Sequence, residues 1–268
     1  MPAVCTLGDA LLDVVVRLHQ PLAEGDDVPA TTRTGAGGPA ANVAAWAAAL
    51  GAEARCIAKR GDDAAGSLVA AELAAHGVAL RGPLSRGRTG VVVSLVSELG
   101  RRTMASDRGV ARDLRPEELE PEWLEGAAWL HLSTYALVAE PAGRAAERAV
   151  ELARDAGARV SVDLSSWTAI RDFGPARLRE RLARIAPQLV FATDREREAL
   201  GGEVEALWIV KRGAAGILVD GQPFAALPAE PLDTTGAGDA LAAGYLLGGP
   251  ELGLEAASRC VAKLGAMP

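Results

Sequence analysis

Short apolar runs alternate with alanine-rich or amphipathic stretches along most of the chain. Residues 4–7 form an apolar run that stops at Gly8-Asp9, as expected of a strand buried on both faces. Residues 11–18 either extend that strand or form a second. Residues 20–36 are polar and carry Pro, Gly and Thr, which predicts a loop or edge strands. Gly35-Ala36-Gly37-Gly38-Pro39 then opens an alanine-rich segment over 40–50. Proline just inside its start and Gly51 just past its end punctuate a helix. Further strands are predicted over 54–58, 129–133, 159–163, 189–192, 207–211 and 216–219. Helices are predicted over 66–76, 142–156, 177–185, 195–200 and 238–247. Residues 90–98 are β-branched, Gly100 follows, and 101–106 complete a hairpin signal. Strands alternating with helices predict an α/β domain, its mostly parallel sheet covered on both faces. Two excursions, around 14–35 and 84–108, break that alternation and predict a small accessory sheet or lid. No repeat or long linker divides the chain, so residues 1–268 read as a single domain.

Composition narrows the partners. A chain of 268 residues with 49% hydrophobic content can bury a substantial core. A net charge of -7 argues against a nucleic-acid partner, because phosphate backbones call for basic surfaces. Any phosphate site must therefore be local, built from backbone amides and a few cations. No apolar run reaches the roughly 18 residues that a membrane span needs. The N-terminus lacks a basic segment followed by an apolar one, so a cytoplasmic protein is expected. Cys5, Cys56 and Cys260 are few and far apart, and read as buried small hydrophobes. Three histidines without paired spacing argue against zinc.

The most informative segment is Asp233-Thr234-Thr235-Gly236-Ala237-Gly238-Asp239, followed by a predicted helix. A glycine-rich turn feeding a helix N-terminus aims free N–H groups at one point, and the helix dipole adds partial positive charge there. That makes an anion hole suited to phosphate. Asp239 is out of place in such a hole unless it has a task. The sensible task is to take a proton from an attacking hydroxyl while the amides hold charge on the transferred group. The plainer reading of a lone Asp at a turn is a helix cap; the length of the string favours chemistry.

Residues 233–247, DTTGAGDALAAGYLL, resemble the C-terminal signature of the ribokinase family of carbohydrate kinases, also called PfkB-type kinases. The resemblance implies a ribokinase-like three-layer α/β/α domain with a small β lid, and ATP-dependent phosphoryl transfer to a sugar or related polyol. Asp239 would be the catalytic base, and Gly236, Ala237 and Gly238 the anion hole. Asp233 and Thr235 match positions that bind a monovalent cation in ribokinase-like members, which leaves a potassium requirement open. Residues 37–66, opening Gly37-Gly38-Pro39-Ala40-Ala41-Asn42, resemble the N-terminal family pattern, in which the Gly-Gly turn and the Asn contact sugar hydroxyls. Gly-Gly permits close approach, and a carboxamide both donates and accepts, as a polyol requires. Gly8-Asp9 and Asp13 match the family opening, where acidic residues grip hydroxyls, with Asp13 favoured over Asp9. Gly61, Asp62 and Gly66 read as structural turn residues.

On the nucleotide side, Val210 to Gly216 fits the family strand and loop beside ATP, with Lys211 meeting a phosphate and Gly213 and Gly216 shaping the loop. Thr193 stands where the family usually carries Asn. Glu196 matches the acidic residue that organises magnesium through water; magnesium prefers few carboxylates. Lids in many relatives pair between subunits, so the resemblance also implies a homodimer. Arg108, in the second excursion, either meets a substrate carboxylate or is simply solvated. Asp163 is followed by Leu-Ser-Ser-Trp167, without the Asn and Arg that sugar-acid kinases carry there. That leaves a neutral sugar, a sugar acid or a nucleoside as acceptor. There is no G-x-x-x-x-G-K-S/T, which excludes a P-loop enzyme, and no G-x-S-x-G for a serine hydrolase. Residues 35–40 satisfy G-x-G-x-x-A, but no apolar strand precedes them, which argues against a dehydrogenase. The rival from another class is a non-catalytic sugar-binding protein on the same fold.

Overall fold

The structure, a computed structural model, describes residues 2–97 and 102–268. The chain begins β1 (Ala3–Leu7), β2 (Leu11–Leu18), β3 (Ala30–Gly37), α1 (Pro39–Ala49), β4 (Glu53–Ile57) and β5 (Arg60–Gly61). It continues α2 (Ala64–Ala75), β6 (Val78–Arg81), β7 (Leu84–Ser85), β8 (Thr89–Val96) and β9 (Arg102–Gly109). Three short 3-10 turns, the first at Val110–Asp113, lead to β10 (Ala127–Ser133), α3 (Thr134–Leu137), α4 (Ala142–Asp155) and β11 (Arg159–Asp163). Then come α5 (Trp167–Phe173), α6 (Pro175–Ile185), β12 (Leu189–Thr193), α7 (Asp194–Leu200), β13 (Leu207–Lys211), β14 (Ile217–Val219), β15 (Gln222–Phe224) and α8 (Ala237–Val261).

The apolar runs assemble into one nine-stranded sheet, ordered β15-β14-β13-β12-β11-β10-β1-β4-β6. From β6 to β13 neighbouring strands run parallel, and β14 and β15 close the edge antiparallel. Successive side chains on a strand point to opposite faces, and two cores result. Val4, Cys56, Phe191 and Ile209 pack with α1 and α8 on one face. Cys5, Ile57, Leu130, Val162 and Val190 pack with α4 and α6 on the other. The three-layer α/β/α architecture is therefore the expected one. All three cysteines are free and buried. Among the described residues no helix is long and apolar enough to cross a membrane.

A separate four-stranded sheet, β3-β2-β8-β9, stands beside the C-terminal ends of the main strands. It gathers most of both excursions. Residues 30–37, expected as loop or edge strand, form its edge strand β3, paired antiparallel with β2. β8 and β9 pair antiparallel as the hairpin signal implied; its Gly100 turn lies outside the described residues. Asp63 ties this sheet to the body. Its carboxylate caps α2 through Gly66 N–H at 2.8 Å and accepts from the N–H and hydroxyl of Thr89, at 2.9 and 2.6 Å.

The helix expected over 238–247 ends where expected: Gly248 and Gly249 leave helical geometry, and a second helical half of α8, opened by Pro250, runs on to Val261. Gly249 takes the left-handed conformation, and a Cβ on Gly244 would lie 2.4 Å from the Leu252 carbonyl, so the two halves pack closely across the kink. The residues after α8 turn back beneath residues 233–236. Gly265 N–H donates to Asp233 at 3.0 Å, and Trp46 Nε1 donates to the Ala266 carbonyl at 2.8 Å.

Candidate active site

Parallel strands of an open sheet end together, and ligands bind beyond their C-terminal ends. There the structure has a cleft of about 780 Å³ between the main sheet and the small one. Its floor is the first turn of α8. Gly236 adopts the left-handed conformation as the residue before the helix, where a Cβ would lie 2.5 Å from that of Ala266. Gly236, Gly238 and Asp239 line the cleft. Ala237 does not; its N–H donates to the Thr234 carbonyl at 3.4 Å.

Asp239 is half-buried and opens only into the cleft. Asn42 Nδ2 donates to its Oδ2 at 2.7 Å, from the second turn of α1. Burial pushes the Asp239 pKa up to about 7. The bond from Asn42 opposes the rise, Asp163 and Asp13 add to it, and Lys211 opposes it. The Oδ1 of Asn42 is buried without a protein partner beside the cleft, where a substrate hydroxyl would satisfy it. Gly37 and Gly38 make this approach possible. A Cβ on Gly37 would overlap the Asp13 carboxylate at 2.1 Å, and one on Gly38 would meet the Asp9 carbonyl at 2.5 Å. Gly38 and Asp13 line the cleft; Gly37 and Asp9 stand just behind.

Arg108 is not the solvated arginine of the plainer reading. It is ion-paired to the buried Asp9 and stacked 3.7 Å above the Tyr135 ring. Desolvation lowers its pKa, and neighbouring Arg112 adds to that. Asp9 and Arg108 thus neutralise each other in the wall.

Lys211 sits on the opposite wall, beside Gly238. It does not stand free for phosphate: Asp163 accepts from it at 2.8 and 2.6 Å through its two oxygens. Burial works against the ammonium, but Asp163, Glu196 and Asp239 outweigh it and hold the Lys211 pKa above its ordinary value. Glu196 lies behind, 3.9 Å from Lys211, and does not line the cleft. Its carboxylate accepts from Thr193 N–H at 2.7 Å while Thr193 Oγ1 accepts from Glu196 N–H at 3.2 Å, a reciprocal cap of α7. Thr193 therefore caps a helix where Asn was expected. Gly213 and Gly216 shape the β13–β14 turn and do not line the cleft either. A Cβ on Gly216 would lie 2.0 Å from the Phe224 carbonyl. Asp233 and Thr235, expected around a cation, bond to each other through the Thr235 N–H at 2.9 Å and its hydroxyl.

Among the described residues no group of three or more His, Cys, Asp or Glu could hold a metal. Magnesium does not require one, because it is normally carried on substrate phosphates with one or two carboxylates. Sequence reasoning passed over Asp163, Arg112, Tyr135 and Arg177, all of which line the cleft. Trp167 lies outside the lining, with Arg195 3.7 Å above its ring.

The profile of the pfkB family carbohydrate kinases matches residues 1–267. The chain is 32% identical to an ATP-dependent ribose-1-phosphate kinase of Halopiger xanaduensis, over 97% of this chain and 90% of that one. It is likewise 32% identical to a fructokinase of Escherichia coli, over 96% and 87%. Among solved structures, an adenosine kinase from Sinorhizobium meliloti superposes with a TM-score of 0.86 at 25% identity, covering 100% of this chain and 96% of that one. A sugar kinase from Pyrococcus horikoshii in complex with ATP superposes with a TM-score of 0.82 over 99% and 95%; its 21% identity speaks to the fold alone.

Proposed function

The chain belongs to the pfkB family of carbohydrate kinases, and from that premise we propose that it moves the γ-phosphoryl group of ATP to a sugar hydroxyl with Asp239 as the base. The observation that carries this reading is the Asp239 carboxylate, held by Asn42 at 2.7 Å beside the first-turn amides of α8. Asp239 takes the hydroxyl proton as that oxygen bonds to the γ-phosphorus, the bond to the β-phosphate oxygen breaks, and ADP leaves. Phosphoryl transfer asks mainly for positioning and charge stabilisation. The Gly236 and Gly238 backbone supplies the anion hole, and Asp13 and Asn42 position the sugar. Lys211, oriented by Asp163, adds positive charge beside the hole. Magnesium would neutralise charge on the ATP phosphates, with Glu196 reaching it only through water. Three free, buried cysteines suit a cytoplasmic setting.

A pKa of about 7 poises a base near neutral pH. Below that value Asp239 is protonated and inactive in the free enzyme, so kcat/KM rises about tenfold per pH unit and levels above about pH 7. ADP release with ribose, fructose and adenosine as acceptors, followed from pH 5 to 9, tests the reading. Binding of an acceptor without any ADP would leave only a sugar-binding protein.

The small sheet acts as a lid that shuts water out of the cleft. Val92, Met104 and Ser106 line the cleft from it. Its other face carries Val14, Val16, Val91, Val93 and Leu95, all only half-buried. This apolar face pairs two copies of the chain. Light scattering should give the mass of a dimer, and a single-chain mass at micromolar concentration would end that idea.

A further inference from the structure

A potassium ion is held by a shell of oxygens, carbonyls above all. Around Asp233 and Thr235, where the family resemblance expects a monovalent cation, the oxygens are already aimed elsewhere. Asp233 Oδ1 accepts from the Thr235 N–H at 2.9 Å and from its hydroxyl, and Oδ2 accepts from the Gly265 N–H at 3.0 Å. The residues after α8 bring two more carbonyls beneath the same turn. That of Leu264 accepts from Arg33 Nη1 at 2.7 Å, and that of Ala266 from Trp46 Nε1 at 2.8 Å. The Thr235 carbonyl accepts from Cys260 Sγ at 3.2 Å. Each of these oxygens faces a donor of the chain itself. A carbonyl keeps a second lone pair, but a free cation on Leu264 would stand beside a guanidinium.

The local charge balance points the same way. A cavity of about 360 Å³ lies between this turn and strands β2, β3 and β8 of the lid. Among the described residues its lining sets Arg17 and Arg33, with His19, against the one carboxylate of Asp233. Burial lowers the pKa of the neighbouring Lys263; Cys260 opposes this, while Arg259 and Arg33 push the same way. The surroundings are already positive and resist a further cation.

Arg33 is placed to do what that cation would do. It stands on the lid's edge strand β3, and its reach to Leu264 joins the lid to the chain's last residues. The Leu264 carbonyl and the Gly265 N–H belong to one planar peptide group. The guanidinium draws on the oxygen of that group while its N–H points at Asp233, so one polarised peptide passes the charge of Arg33 to the carboxylate. Gly265 is left-handed, and a Cβ there would lie 3.4 Å from Arg33 Nη1. Asp233 needs a counter-charge, because it opens the turn whose Gly236 and Gly238 form the anion hole, and an unbalanced carboxylate there opposes phosphate.

We propose that Arg33 is a positioning residue that stands in for the monovalent cation, so that lid strand β3 sets the anion-hole turn and phosphoryl transfer needs no potassium. This rests on the kinase reading above.

The test uses the full chain with magnesium, ATP and whichever of ribose, fructose and adenosine releases ADP fastest, in potassium, sodium and tetramethylammonium chloride at one ionic strength. Wild-type kcat should agree within about twofold across the three salts, and a potassium rate about 10-fold above the tetramethylammonium rate overturns the proposal. Arg33→Gln keeps a donor without the charge. In tetramethylammonium its kcat should fall about 10-fold or more, the worth of a charge-assisted bond, with the acceptor KM within about threefold. Arg33→Lys keeps the charge and should keep most of the rate. Wild-type turnover in Arg33→Gln, or an equal loss in both variants, overturns the proposal and leaves the kinase reading standing. Melting temperature needs no turnover, because an ion bound to the folded chain raises it. The wild type should melt at the same temperature in potassium and tetramethylammonium chloride, and Arg33→Gln should acquire a potassium-dependent rise. Such a rise in the wild type overturns the proposal whether or not ADP forms. If no acceptor yields ADP while only Arg33→Gln responds to potassium, the kinase reading fails and the stand-in cation survives.

Discussion

Replacing Asp239 by Asn lowers kcat by about 10²–10⁴-fold, the usual worth of a general base, while sugar binding measured by calorimetry changes little. The amide keeps the shape and can still accept the bond from Asn42, but it cannot take a proton. A second effect has the opposite sign. The carboxylate pKa is raised to about 7 in the fold, so between the ordinary carboxylate range and pH 7 the folded chain binds more protons than the unfolded one. That contribution to stability is present at low pH and is lost as pH rises through about 7. Asp239→Asn removes the loss, so the variant melts above the wild type at pH 8. Slower turnover with greater stability is the mark of a group kept for chemistry; a purely structural residue would lose both. Wild-type turnover in this variant, or a lower melting temperature at pH 8, contradicts the assignment.

Removing Asp163 destabilises the chain by about 3–5 kcal/mol, the range for breaking a buried ion pair at one end. The Asp163 and Lys211 side chains are 5% and 14% exposed, so the orphaned ammonium has little access to water. Asp163 also accepts from the Ser165 N–H at 2.7 Å and so orders the loop into α5. Urea unfolding of Asp163→Ala, Lys211→Met and the double variant separates the two effects. The double variant should recover part of the loss, because no unpaired charge is left behind. Turnover in Asp163→Ala should reach its plateau at lower pH. Asp163 raises the Asp239 pKa and Lys211 lowers it, so loss of the first moves Asp239 downward on both counts. A single-variant loss under 1 kcal/mol on the urea scale, or an unmoved pH plateau, would contradict the pairing described.

What could be read from the chain in advance follows the distance between partners. The 233–239 turn was legible because consecutive residues carry its whole logic: glycines, a helix start and one misplaced carboxylate. Asn42 was legible because it follows a Gly-Gly-Pro helix start at fixed spacing. That its amide would hold Asp239 was not, since the two are 197 residues apart. Lys211 was singled out, but its pairing with Asp163, 48 residues away, depends on β11 and β13 flanking β12 in the sheet. Arg112 and Arg177 carry no local signal at all; only the fold brings them to one cleft. Gly248-Gly249-Pro250 made the end of the first half of α8 legible; that a second half follows and packs back with Leu252 against Gly244 depends on the fold. Thr193 stands in place of the usual Asn. In the structure its hydroxyl completes the α7 cap with Glu196, and that same glutamate stands behind Lys211.

The account is tested most directly by a crystal structure of the chain with its acceptor sugar and an unreactive ATP analogue. It predicts one sugar hydroxyl within about 3.2 Å of the Asp239 carboxylate, with the terminal phosphate over the Gly236–Gly238 backbone and in line with that hydroxyl. A sugar seated with no hydroxyl in reach of Asp239, or a terminal phosphate bound away from that turn, would contradict it.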